Sequence, residues 1–111
     1  MIIIDKPCKV REYLTLDGKN YYRDWLDTLP LETKVRIQAR IFRVEQGNLG
    51  DYKAVGHGVS ELRLQFGSGY RVYFGIDNRK LVILLAGGDN GTQKKEIIQA
   101  RRFWIDYLRR R

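Results

Sequence analysis

Ser60–Gly88, SELRLQFGSGYRVYFGIDNRKLVILLAGG, holds three β-like runs joined by two short turns. In the first run Leu62, Leu64 and Phe66 alternate with Glu61, Arg63 and Gln65, the period of two expected of a strand with one buried face. Gly67-Ser68-Gly69 reads as a three-residue hairpin loop, which would pair Phe66 with Tyr70, Leu64 with Val72 and Leu62 with Phe74. The apolar sides of both strands then share one face, and the other, outer face carries Arg63 opposite Tyr73 and Arg71 opposite Gln65. The third run, Leu81 to Ala86, is apolar at every position, as in a strand covered on both faces, and is expected at the centre of the sheet.

Working outward, the segment before the meander, GNLGDYKAVGHG at 47–58, is spaced by glycines that suggest unusual backbone angles, with Tyr52 to Val55 long enough for a small strand or an extended arm. Further back, Tyr22, Trp25, Leu26 and Leu29 fall at i, i+3, i+4 and i+7, the stripe of an amphipathic helix from Tyr21 to Leu29, with Asn20 available as its N-cap. Pro30 marks its end, and a second helix runs to about Gln46 with Gly47 just beyond it. Its Ile37, Ile41 and Val44 are expected to pack inward with Val35 and Phe42 beside them, leaving Arg36, Arg40 and Arg43 in a line. The ordinary reading of such a line is a solvated face; the other is a phosphate-tracking role. At the N-terminus Ile2–Ile4 and Val10–Leu14 are both strand-like, and one of them is expected to add an edge strand. After the meander a helix begins near Thr92, with Glu96 suiting its dipole and Ile97, Ala100, Trp104, Tyr107 and Leu108 as its buried stripe. Helices before and after a run of antiparallel strands make one α+β domain over residues 1–111: a small antiparallel sheet packed by two N-terminal helices and a C-terminal helix.

The chain has 111 residues, with 21 Lys/Arg against 13 Asp/Glu and a net charge of +8, and most of the excess lies after residue 46. Such a surface favours a polyanion; nucleic acid is the commonest, and an acidic protein would satisfy it equally. One cysteine, Cys8, rules out an intramolecular disulfide and fits a reducing compartment. The opening Met-Ile-Ile-Ile is followed at once by Asp5 and Lys6, too short for a signal or a membrane span, so a cytoplasmic location without membrane attachment is expected.

No CxxC, HxxxH or paired-carboxylate pattern suggests a metal, and no GxGxxG or GxxxxGK[ST] suggests a nucleotide, so neither metal nor cofactor is expected. What remains is a set of cations and phenols: Lys53, His57, Arg63, Arg71, Tyr73, Lys94 and Lys95. Such a set suits metal-free phosphodiester chemistry, in which an RNA 2′-hydroxyl attacks its own phosphate and guanidinium groups stabilise a more negative transition state. Proton transfer would fall to His57 or to a lysine whose pKa neighbouring cations lower. The plain alternatives are a structural or merely exposed His57 and arginines on a wet strand face.

DWLDTL at 24–29, the whole of 47–75 and LVILLAGGDNGTQKKEI at 81–97 resemble the HigB-like toxins of the RelE/ParE superfamily, often labelled addiction module killer proteins; GVSELR, GYRVYF and LLAGGD are the specific runs. The resemblance covers about Val10 to Tyr107. It implies a RelE-like fold and the toxin of a type II toxin–antitoxin pair, similar to enzymes that enter the ribosome and cut mRNA. The implied partner is an antitoxin, commonly a helix-turn-helix protein of the HigA kind. Carried over, Arg63 and Arg71 match sheet cations that bind the scissile phosphate, and Lys53 matches a basic position on the preceding arm. The family's usual GGDKxxQ reads here Gly87-Gly88-Asp89-Asn90-Gly91-Thr92-Gln93, so Asn90 replaces a lysine and Lys94 or Lys95 must supply any cation needed beside Gln93. His57 stands where an acidic residue is common. The general acid and base are therefore unassigned, and two other readings stay open: a non-enzymatic ParE-like toxin acting on DNA gyrase, and a nucleic-acid-binding module using Arg36, Arg40 and Arg43.

Overall fold

The computed structural model describes residues 4–89 and 91–111. The expectations on Ile2, Ile3 and Asn90 lie outside the described residues. The elements in order are β1 (Lys9–Glu12), α1 (Tyr21–Asp27), α2 (Leu31–Glu45), β2 (Tyr52–Gly56), β3 (Val59–Leu64), β4 (Tyr70–Asp77), β5 (Leu81–Asp89) and α3 (Gln93–Arg110). The fold is α+β, with one five-stranded sheet and three helices among the described residues, and is consistent with a RelE-like fold. Asn20 caps α1 as expected, its side chain accepting from the Arg23 amide at 2.9 Å.

The strands lie in the order β1-β5-β4-β3-β2. β2 to β5 pair antiparallel, but β1 joins β5 in parallel, Lys9 beside Leu81 and Glu12 beside Leu84. The sheet is therefore mixed and has one strand more than the expected meander plus N-terminal strand. A parallel neighbour needs a long crossover, and nearly the whole chain between β1 and β5 supplies it. The centre of the sheet is β4; β5 is interior and is apolar because helices cover it on both sides.

One face of the sheet packs against α1 and α2, with Leu26, Ile37 and Val44 meeting Leu62, Val72, Phe74 and Leu84. The opposite face packs against α3, where Ala100 and Trp104 meet Val59, Tyr73, Ile83 and Leu85. The polar side of the meander is thus not an outer wet face. α3 covers most of it. Val35 and Phe42 of α2, expected beside the core, are exposed, because the 37-41-44 row alone points at the sheet; Leu108 of α3 is likewise at the surface.

The β3–β4 hairpin has a different register from the one the glycines suggest. Leu64 pairs with Tyr70, Arg63 with Arg71, Leu62 with Val72 and Glu61 with Tyr73. The loop is therefore residues 65–69, closed by the Gly69 amide donating to the Phe66 carbonyl at 2.9 Å. Phe66 leaves the ladder because its ring packs on Tyr70, centroids 5.1 Å apart, and under the Arg36 guanidinium at 4.9 Å. Pairs shift by two residues in all, an even number, so each side chain keeps its face while every partner changes.

Candidate functional site

The site forms where the N-terminal turn of α3 comes down onto the start of β4 and the end of β5. Two glycines permit the approach. A Cβ on Gly88 would stand 2.2 Å from Glu96 Cδ, and one on Gly75 would stand 2.4 Å from the Trp104 ring, so α3 rests on bare backbone in its first turn and again at Trp104. A bulge sets the phase. Tyr73 pairs with Ala86 and Phe74 with Leu84, so Leu85 is the extra residue, and the faces of β5 invert after it. That inversion turns Gly88 towards Glu96 and Gly87 towards Trp25 on the other side.

Glu96 is buried and gathers four donors. The Tyr73 hydroxyl donates to Oε1 at 2.7 Å, Arg71 Nε donates to Oε1 at 3.2 Å, Arg71 Nη2 donates to Oε2 at 3.4 Å, and the Thr92 hydroxyl donates to Oε2. Arg71 Nε also reaches the Tyr73 oxygen at 3.1 Å. Burial, then the adjacent Glu96 carboxylate, raises the Tyr73 pKa, so the phenol stays protonated. Burial works against the charge on Arg71, but its hydrogen bonds to Glu96 and Tyr73 prevail and raise its pKa. Tyr73, expected on an open face, is fully buried and does not line the cleft described below; it holds Arg71.

Arg63 faces Arg71 across the strands and has its own carboxylate, with Nη2 3.4 Å from Asp51 Oδ1. Asp51 also takes Gln65 Nε2 at 3.0 Å. The Arg63 Nε is shielded from solvent and has no hydrogen-bond partner among the described residues. Below it, Arg40 donates to the carbonyls of Arg63 at 3.0 Å, Leu49 at 2.8 Å and Asp51 at 2.7 Å. Burial lowers its pKa. Arg40 thus leaves the expected surface line of arginines and clamps the chain into β2, while Arg36 and Arg43 remain exposed.

Between the two arginines opens a cleft of about 250 Å³ lined by Glu61, Arg63, Gln65, Tyr70, Arg71 and Gln93. Glu61 forms its floor, 1 % exposed, and takes Gln93 Nε2 at 3.2 and 3.1 Å on its two oxygens. Arg71 and Gln93 also border a second cleft of about 480 Å³ with Lys94 and Lys95. Gln65 and Leu64 border a third with Arg36, Arg40 and Arg43. Shared walls join the three into one cationic track.

Lys53 lies on β2 opposite Glu61, exposed at the margin. His57 does not join them. It occupies the tip of the β2–β3 hairpin at φ 58°, between Gly56 and Gly58, at the other end of β3 from Arg63. Val59 and Arg63 are four strand steps apart, about 13 Å at the usual rise. Alternation, spacing and resemblance give no site role to the carboxylates Asp51, Glu61 and Glu96, which the fold brings to the arginines. Alternation already put Glu61 on the face of Arg63; the misjudged register hid its place beside Tyr73, and the bulge that aims Glu96 at Arg71 has no local signature in an all-apolar strand.

Residues 24–104, which include every one of these groups, match the phage-derived protein Gp49-like family (DUF891). The chain belongs to that family. The Gp49-like family is toxin-like and lies within the RelE/HigB-like toxin superfamily, and a toxin of that kind implies an antitoxin partner. An uncharacterized protein of Haemophilus influenzae is 47 % identical over 94 residues, covering 84 % of this chain and 89 % of its own. Among the described residues no helix of this Gp49-like chain is long and apolar enough to cross a membrane.

Proposed function

We propose that this protein is the toxin of a type II toxin–antitoxin pair and cleaves mRNA on the ribosome through attack of a 2′-hydroxyl on its neighbouring phosphate. The observation that carries the reading is the opposition of Arg63 and Arg71 in one cleft. Like charges directly across a strand pair are destabilising, and each here needs a carboxylate of its own to be held there. A phosphodiester entering between them would accept from both guanidiniums, and the charge gained in the pentavalent transition state would strengthen those bonds.

Each guanidinium keeps a donor for such a ligand. Among the described residues Arg71 uses Nε and Nη2 on Glu96 and Tyr73, and Arg63 uses Nη2 on Asp51, so Nη1 of each is left for a phosphate. The rest of the track suits the flanking phosphates: Lys94 and Lys95 on one side, Arg36 and Arg43 on the other, with Lys53 at the margin. Tyr73 and Glu96 act through Arg71. The antitoxin is taken as a helix-turn-helix protein of the HigA kind that covers this track.

The test is to express the protein without its partner and map mRNA 5′ ends on translating ribosomes, wild type beside Arg71→Ala. New ends that vanish in the variant support the reading. Intact mRNA together with double-strand breaks and an SOS response would replace it with gyrase poisoning.

A further inference from the structure

We infer that Glu61 is the proton acceptor for the attacking 2′-hydroxyl and that Gln93 holds it and covers it until RNA enters. This rests on the ribonuclease reading above and fills a role that Arg63 and Arg71 cannot, since a guanidinium stays protonated and cannot take a proton from an alcohol.

Glu61 at the floor of the cleft and Glu96 behind Arg71 are both buried but are supported very differently. Glu96 has three charged or hydroxyl-bearing partners and is spent on structure. Glu61 is more deeply buried, and among the described residues its hydrogen bonds come from the neutral amide of Gln93 alone. A buried carboxylate so thinly held is costly, and the fold retains it at the floor of the cleft between Arg63 and Arg71. The cover is movable: Gln93 is the exposed first residue of α3, and a rotation of its side chain uncovers Glu61 without disturbing the sheet. The charged and titratable groups around Glu61 are Lys53 from β2, Arg63 on its own strand, Arg71 and Tyr73 from β4, and Glu96 from α3.

In the step, the O2′–H bond breaks with its proton passing to Glu61, O2′ bonds to phosphorus, and the P–O5′ bond breaks. Water supplies the proton that the departing 5′-oxygen takes. The products are a 2′,3′-cyclic phosphate and a 5′-hydroxyl, and Glu61 returns its proton to solvent.

The experiment measures single-turnover cleavage of mRNA on programmed ribosomes by wild type, Glu61→Gln and Gln93→Glu, with complex formation and thermal melting measured alongside. Glu61→Gln keeps the shape and should cut at least about 100-fold more slowly with ribosome binding unchanged. Equal rates for the two overturn the assignment while leaving the ribonuclease reading intact; a wild type that makes no cuts removes both. Gln93→Glu keeps the assignment testable if Glu61→Gln fails to fold, because residue 93 is exposed in the first helical turn, where a carboxylate is favoured. It replaces the amide donor on Glu61 by a repelling carboxylate and leaves Arg63 and Arg71 in place, so the single-turnover rate should change at least about tenfold with ribosome binding unchanged. An unchanged rate sinks the proposal.

Discussion

Arg63 and Arg71 stand opposite each other on β3 and β4, yet they are anchored unequally: the Arg71 side chain is 17 % exposed on a Glu96 that is 10 % exposed, whereas Arg63 and Asp51 are each 42 % exposed. The two replacements by alanine should therefore separate folding from function. Arg71→Ala strands a buried carboxylate and should cost on the order of 2 kcal/mol, while Arg63→Ala should cost less than about 1 kcal/mol. Both should lower cleavage at least 100-fold if each contributes a transition-state contact of the usual strength. Chemical denaturation and cleavage assays on the same preparations check this. Loss of activity in Arg71→Ala alone would mean that a single guanidinium serves the phosphate.

Gly88→Ala tests whether the helix positions the arginine. The added methyl meets Glu96, whose carboxylate is fixed by Tyr73, Thr92 and Arg71 and cannot simply swing aside. A cost of about 1–3 kcal/mol is expected from the overpacking, with a fall in activity although no residue lining the cleft has changed. Gly75→Ala presses on the Trp104 ring about two turns further along α3 and serves as the control: similar destabilisation, smaller loss of activity. Equal losses of activity in the two would show that stability alone explains both.

Much of this arrangement is legible in the sequence, and the parts that are not have identifiable reasons. Alternation in 61–66 and 70–74 is a local property and places Arg63, Arg71 and Tyr73 on one side correctly. The partner of each is non-local. It depends on Phe66 being drawn off the ladder onto Tyr70 and Arg36, which belongs to a different element. The cover over that face depends on glycines 75 and 88, which in sequence look like strand breakers and in space are the seats of Trp104 and Glu96. His57 drew attention by its chemistry, but its backbone angle and hairpin position take it to the far end of the sheet. Arg40 shows the reverse. Its spacing with Arg36 and Arg43 reads as a surface line, and only the fold reveals three carbonyls converging on it.

Alkaline stability should report the buried phenols. Burial, and secondarily the Glu12 carboxylate, pushes the Tyr22 pKa up to about 12 from an ordinary 10.0. The unfolded chain then loses this proton first as pH rises. The stabilisation from the neutral phenol is complete below pH 10 and is lost between 10 and 12, at up to about 1.4 kcal/mol per pH unit for the one group. Tyr22→Phe keeps the ring and removes the titration. Its stability should lie within about 0.5 kcal/mol of wild type at pH 8 and decline less steeply above pH 10. Parallel curves for the two proteins would contradict the shift.

Arg36, Arg40 and Arg43 share a helix face but should behave as two classes. Arg40→Ala removes three charge-assisted bonds, two to carbonyls just before β2 and one to a carbonyl of β3, and should destabilise by about 2 kcal/mol. Arg43→Ala should leave stability within about 0.5 kcal/mol, since its side chain is exposed, and Arg36→Ala should cost about 0.5–1 kcal/mol through its place over the Phe66 ring, its Glu32 pair lying at the surface. Their effect should appear in RNA binding instead. If each meets one phosphate of a single strand, the slope of log K against log salt should lessen by about 0.7 per substitution. Anisotropy titrations of a short single-stranded RNA at several salt concentrations give that slope directly. An unchanged slope in both variants would end the phosphate track at Gln65 and return this face of α2 to plain solvent exposure.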